Sequence, residues 1–418
     1  MKKTIGLILV LALLLTTASS LIGTAFAEDK VVIRFMCDIP DRTSGRGLLQ
    51  EQMLQEYMDA HPNVVIEVEA LDSSSFPTKF KAYLMANELP DIFFNYNTPA
   101  WMDPLFEAGV LEPFSDEMIE SLNFVSGANA PYIKDGVTYS LSTQNTAWVL
   151  YYNKDLFAEH NVAVPTTYDE LLAAAKVFKD AGIIPVAIAG VDGWPVTKWA
   201  TAVLGQVAGS NASQLIRSSI DNEDFSDPAW LESFQLGARD AQELFGYGFE
   251  TCDYATSQNM FMNGKAAMWW MGSWEMGITP DFNVGAFAFP QVSAEGDGAL
   301  LAYADGGIGV CSYSEHKDVA MDIVSYYVSP ENWSKRAWEQ GLAISTQDFY
   351  NYQTGSETPL QLDIMNVLAE ASSQTGYDFS NIRTYAMESY CYDILNGLYL
   401  GLITPEDCVQ EMYTAVTK

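Results

Sequence analysis

Residues 164–190 read VPTTYDELLAAAKVFKDAGIIPVAIAG, and they contain a whole helix-to-strand unit. Thr167 and Glu170 form a T-x-x-E capping box, in which each side chain accepts from the other residue's otherwise unpaired backbone N–H. Leu171, Ala174, Ala175 and Phe178 recur at helical spacing on one face, and Gly182 sits just past the last of them, where a helix commonly closes in left-handed backbone. The run IPVAIAG that follows is short and apolar throughout, as a strand covered on both faces is. The spacing therefore predicts a helix feeding a buried strand.

The same alternation extends along the chain. VVIRFMC (31–37) reads as a strand, a helical pattern follows as far as Ala60 and His61-Pro62 stops it. VVIEVEAL (64–71) alternates like a half-buried strand, SFPTKFKAYLMANE reads as helix, and DIFFN (91–95) as the next strand. Repeated units of this kind predict an α/β fold with largely parallel sheets. In such sheets ligands bind beyond the carboxyl ends of the strands.

The first residues, from Lys2 and Lys3 through an apolar run to Ala25-Phe26-Ala27, have the form of a secretory signal with cleavage expected before Glu28. The run is too short to span a bilayer, and no cysteine directly follows the small residues, so neither membrane insertion nor a lipid anchor is expected. An exported protein, periplasmic or extracellular, is the expectation. The formal charge of −33 repels nucleic acid and anionic lipid, which drop out as partners. Five cysteines without C-x-x-C spacing suggest buried thiols, with a Cys391–Cys408 disulfide permitted. The sequence holds no phosphate-binding loop, dinucleotide fingerprint, H-E-x-x-H or G-x-S-x-G, and its three histidines lie far apart, so no catalytic residue, cofactor or metal site is expected.

Several segments, in order, resemble the carbohydrate-binding branch of the extracellular solute-binding proteins of ABC transporters, the maltose-binding-protein-like family. LYYNKDLFAEHNVAVPTTYDEL (from 150) is similar to its Y-N-K-D-L-F block followed by P-x-T-[YW]-x-E-L, and NELPDIFF (87–94) to its G-x-P-D-[IV] strand, without the glycine. MFMNGKAAMWWMGSWEMG (260–277) resembles its F-x-x-G-K-A-A-M…G-x-W block, and NVGAFAFPQ and ADGGIGVCSYSEHKDVAMDIVSYYVSPE (304–331) resemble the two that follow. The resemblance implies a two-lobed periplasmic-binding-protein-like fold of type II, with mixed sheets flanked by helices and a hinge of two or three crossing segments. Lobe one is expected at 28–143 with 291–345 and lobe two at 144–290 with 346–418. It also implies a monomer that passes a neutral mono- or oligosaccharide to a membrane permease. A secreted carbohydrate hydrolase and a soluble subunit of a receptor kinase are the alternative readings.

A sugar presents hydroxyls and weakly polar C–H faces, so its site needs aromatic rings beside carboxylates and amides. The expected loops carry that mixture: Asp38, Asp41 and Arg42; Asn95, Tyr96, Asn97 and Trp101; Gln144, Asn145 and Trp148; Asp192, Trp194 and Trp199; Tyr303 and Asp305. From these, Asp38, Arg42, Asn95, Asn97, Gln144, Asn145, Trp148, Trp194 and Asp305 are taken as ligand-binding candidates. Core packing is the competing role for Trp148, Trp199 and Trp101, and turn capping for Asn95, Asn97 and Asp305. With one arginine in the set, a phosphate or carboxylate ligand fits less well than a neutral one.

The last two candidates lean on the resemblance. Glu388 matches a position that faces the cleft in the family, where an aromatic is common. In AAMWWMGSWE (266–275), Trp269 and Trp270 are expected to point to opposite faces of a strand as core, while Trp274 occupies the G-x-W position and implies sugar stacking. Replacing Trp274 is then expected to weaken binding with little loss of stability, and replacing Trp269 mainly to destabilise.

Overall fold

The computed structural model describes residues 30–417 apart from 126–127, 247, 293–297, 348 and 377–383, so the expected signal and its cleavage site lie outside the described residues. β1 (Val31–Cys37) runs parallel to β2 (Val64–Ala70) and to β3 (Ile92–Asn95), with α1 (Gly45–Ala60) and α2 (Ser75–Ala86) as the crossovers. α2 ends where Asn87 takes a left-handed backbone at φ 57°, a conformation that asparagine tolerates better than most residues. The opening unit forms as its spacing predicts. Both arms of the Thr167/Glu170 capping box are present on the helix Tyr168–Asp180, its apolar face is buried, and β5 (Ile184–Ala187) follows.

Two long strands change the sheet from what the α/β alternation alone predicts. β4 (Ser140–Asn153, 14 residues) and β8 (Leu300–Val310, 11 residues) run antiparallel to each other. β8 also pairs antiparallel with β3, and β4 with β6 (Ala266–Gly272) and β7 (Val284–Phe287). The nine-stranded sheet, ordered β2-β1-β3-β8-β4-β6-β5 along its main path, is therefore mixed rather than largely parallel. Each long strand crosses from one body of the molecule to the other, and this crossing brings in the antiparallel pairings.

Buried apolar side chains divide accordingly. One group packs α1 and α4 (Lys317–Tyr327) on β1, with Phe76, Phe80, Phe93 and Trp101 on the other face. The second surrounds β6 on both faces: Trp270 packs with Trp148, Trp199 and Phe289, and Trp269 with Tyr151 and Phe261. β4 passes between the groups from Leu141 to Ala147, and β8 from Ala302 to Ile308. Trp338 and Ile344 pack with the second group while Leu342 and Ala343 pack with the first, which makes a third crossing.

All five cysteines are buried and free, so the Cys391–Cys408 disulfide is not formed. The Cys391 thiol instead lies 3.6 Å from the sulfur of Met412. Among the described residues no helix is long and apolar enough to cross a membrane.

Candidate functional site

A cavity of about 440 Å³ opens between the two bodies, alongside the crossing strands. Sheet register assembles its floor. Asp305 of β8 sits opposite Gln144 of β4, and Tyr303 opposite Thr146. Asp38 enters just past the carboxyl end of β1, and Tyr96 and Asn97 just past β3, as the strand-end rule requires.

One wall is aromatic, and its geometry starts at a glycine. Trp148 on β4 is opposite Gly272 on β6, and a β-carbon built at Gly272 would lie 2.0 Å from the ring of Trp274. The missing side chain lets the Ser273–Glu275 turn fold the indole of Trp274 back over the strand end. It meets Trp148 edge to face at 5.4 Å and Trp194 at 6.1 Å. Trp148 is buried beneath, whereas Trp194 and Trp274 keep part of their surface toward the cavity. The Trp148 N–H donates to the Tyr303 hydroxyl at 3.0 Å and the Trp274 N–H to the Tyr254 hydroxyl at 3.2 Å. With these donors consumed inside the protein, the rings offer the cavity apolar faces. Trp101, packed edge to face on Tyr96 at 4.8 Å, lines the cavity from the other body.

The polar side is densely connected. Arg46, on the first turn of α1, donates to the Gln144 side chain at 3.0 Å, and Tyr96 donates to Asp38 at 3.2 Å. Burial pushes the Asp38 carboxyl up to about 6, an effect that Arg46 opposes and neighbouring Asp305 reinforces. Asp192 is likewise raised by burial, although it accepts the Tyr254 backbone N–H at 2.7 Å. Glu388 is buried on the helix Tyr385–Tyr399 and accepts from Tyr392 at 2.7 Å. Burial brings Lys81, whose ammonium lies 5.8 Å from the Trp101 ring, down to about 8, against the opposing pull of Glu388. No group of three metal-ligating side chains occurs among the described residues.

A cavity between two sheet-crossed bodies, lined by both aromatic rings and hydrogen-bonding groups, is built to hold a small polar solute. The sequence profile of the family described as bacterial extracellular solute-binding protein matches residues 40–332. The chain belongs to that family. This solute-binding protein is 23% identical over 342 residues to the multiple sugar-binding protein of Streptococcus mutans, covering 79% of each chain. Its fold is similar to that of a chitin oligosaccharide binding protein (TM-score 0.83, 22% identity, 93% of this chain and 98% of that one). It is equally similar to a structure from work on xylan utilization by the thermophilic bacterium Caldanaerobius polysaccharolyticus (TM-score 0.82, 24% identity, 92% and 99%). The fold is thus the two-lobed type II α/β architecture of these binding proteins.

Of the sequence candidates, Asp38, Asn97, Gln144, Trp148, Trp194, Trp274, Asp305 and Glu388 line the solute-binding protein's cavity. Three do not. Arg42 bonds to Glu51 at 2.7 Å and to Gln50, and it stands behind Gln50, which lines the cavity where Arg42 itself does not. Asn95 is the last residue of β3, and its amide is buried against Ser140 at 2.9 Å on the face opposite Phe94. Asn145 is in continuous strand rather than a loop, where alternation directs it away from the Gln144 side. Trp199 is core, donating to Asp240 at 2.8 Å. Trp194, expected in a loop, is instead the first residue of α3 (Trp194–Ala208).

Sequence reading missed Arg46, Lys198, Tyr254 and Tyr392 in this solute-binding protein's cavity wall. Lys198 carries a usable signal, a lone lysine in the otherwise uncharged stretch WPVTKWATAVLGQVA, and its ammonium lies 5.0 Å from the Tyr303 ring.

Proposed function

We propose that this solute-binding protein captures a neutral mono- or oligosaccharide in the interlobe cavity and delivers it to an ABC permease. The observation that carries the reading is the Trp148–Trp194–Trp274 corner, which faces a strip of carboxylates and amides on the crossing strands and on the first lobe. Rings cover C–H faces while Asp38, Asp305 and Gln144 meet hydroxyls, and a site with this many polar groups discriminates against solutes that leave them unpaired. The sugars named for the multiple sugar-binding, chitin-oligosaccharide and xylan relatives support the same class.

Two lobes meet at the three crossings, with the first lobe comprising 28–143 and the second entered at 144. On this reading the chain returns to the first lobe within β8, where Ala302 packs with the second body and Ile308 with the first. Three of the candidates, Arg42, Asn95 and Asn145, are set aside on placement, and Arg46 takes the arginine's role. The protein works as an exported monomer held at the cell through its permease.

Calorimetry with glucose, galactose, xylose, xylotriose, chitotriose and maltotriose, paired with small-angle scattering, is the test. Binding of one of these with a smaller radius of gyration is expected, and the sugar is recovered unchanged after long incubation. No binding across the panel and its longer oligomers overturns the proposal, as does turnover.

A further inference from the structure

The ring expected to stack on the sugar is held by a polar chain that runs away from the cavity. Trp274 donates its N–H to the Tyr254 hydroxyl at 3.2 Å, and Tyr254 in turn donates to Oε1 of Glu275. The other carboxylate oxygen of Glu275 accepts from Gln258 at 2.8 Å. Tyr254 is pinned at its own backbone N–H by Asp192, and the turn that carries Trp274 is pinned at the other end, where Ser273 Oγ accepts the Ala147 N–H at 3.1 Å. Burial, and after it the charge of Glu275, hold the Tyr254 phenol well above its ordinary range, so the phenol keeps its proton. One proton and one lone pair on a single oxygen are thus assigned, the proton to Glu275 and the lone pair to the indole. A phenol that donates to a carboxylate is also a better acceptor.

We propose that Glu275, which does not line the cavity, is a positioning residue for ligand recognition: it orients Tyr254 so that Tyr254 fixes the plane of the Trp274 ring. This rests on the reading of Trp274 as a sugar-stacking ring. Without the carboxylate, the Tyr254 hydroxyl turns to another acceptor, the indole loses its fixed partner, and the ring spends less time in the plane the sugar needs.

The test is a double-mutant cycle read as the calorimetric Kd for whichever of xylotriose, chitotriose and maltotriose binds the unaltered protein most tightly. Glu275→Leu is expected to weaken binding about fivefold, while Glu275→Gln, which keeps an acceptor oxygen, stays within about twofold. In a Trp274→Phe background, where there is no N–H to hold, Glu275→Leu is expected to have no further effect. A general loosening of the lobe would add its effect in both backgrounds. Should Glu275→Leu not fold, Tyr254→Phe enters the same cycle and is expected to couple to Trp274→Phe. Unchanged affinity in Glu275→Leu, or full additivity with Trp274→Phe, overturns the proposal. These outcomes are distinguishable from failure of the stacking reading, in which Trp274→Ala itself leaves Kd unchanged.

Discussion

Replacing Trp274 with alanine is expected to cost both recognition and folding, and the structure bounds the folding part. The ring touches Trp148 and Trp194 at 5.4 and 6.1 Å and spends its N–H on Tyr254. Two aromatic contacts at about 0.5–1.5 kcal/mol each and one hydrogen bond at about 1 kcal/mol place the folding cost at roughly 2–4 kcal/mol. That exceeds the small loss expected from sequence, because the ring is part of an aromatic corner and not a free loop side chain. Loss of sugar stacking is expected to weaken binding about tenfold or more, on the order of 1.4 kcal/mol. Trp269→Ala is the control. Its ring is fully buried against Tyr151 and Phe261 with its N–H on Ser257, and its loss is expected to cost about 3–5 kcal/mol of stability. It sits on the opposite face of β6 from Trp148 and Trp270 and reaches the corner only through the Tyr254 ring at 6.2 Å, so the folded fraction should lose less affinity than Trp274→Ala does. Calorimetric Kd and thermal unfolding on the same samples measure the two effects. Trp274→Ala with unaltered Kd, or Trp269→Ala with the larger loss of affinity, refutes the division.

Arg46→Met is expected to weaken sugar binding at least tenfold, whereas Arg42→Met changes stability and leaves Kd within about twofold, since only Arg46 reaches Gln144 in the cavity. Equal effects of the two on titration calorimetry would contradict the placement. Gly272→Ala should mimic the loss of Trp274, because the new methyl group occupies the indole's position; an unchanged tryptophan emission spectrum with bound sugar would count against this. Asp240, fully buried under Tyr168 and Trp199, has its carboxyl raised by burial to about 7. The folded state therefore holds a proton that the unfolded chain releases near 4, so this contribution to stability is complete below about 4 and is lost as pH rises through about 7. Thermal midpoints between pH 5 and 8 should fall for the unaltered protein and fall less for Asp240→Asn.

The fold was legible where one local rule decides one element. The Thr167/Glu170 box and the buried face it precedes depend only on spacing within the helix, and Trp269 and Trp270 divide by strand alternation alone. The mixed sheet was not legible from alternation, because a strand that crosses between lobes reads in sequence like any other apolar strand. The site was legible at strand ends and hidden within strands. Asp38 and Asn97 lie past the ends of β1 and β3, and Asp305 and Gln144 meet only because the β4–β8 register sets them opposite. Gln144 lines the cavity and Asn145, its neighbour on the strand, does not. Arg42 and Arg46 lie four residues apart, just before and just inside the start of α1, and only their partners, Glu51 for one and Gln144 for the other, distinguish which reaches the cavity.

The division of the cavity lining between the lobes has a consequence for motion. Trp194 and Trp274 come from the body built on β6, while Asp38, Arg46, Tyr96 and Asn97 come from the body built on β1. On the proposed reading, a sugar held by one body alone makes only that body's share of the contacts, since Trp101 adds a ring to the first body and Asp192, Lys198 and Glu388 add polar groups to the second. Both sets are satisfied only when the crossing segments bring the bodies together. The ligand therefore has a higher affinity for the closed arrangement, and that difference is what shifts the population toward it. Gln144, on the crossing strand itself and bonded to Arg46 of the first body, links the ligand's polar contacts to the position of the hinge. Its replacement by alanine should reduce the compaction seen in small-angle scattering at saturating sugar, in addition to lowering affinity. A variant that binds weakly yet compacts fully once saturated would show that Gln144 contacts the ligand without coupling it to closure.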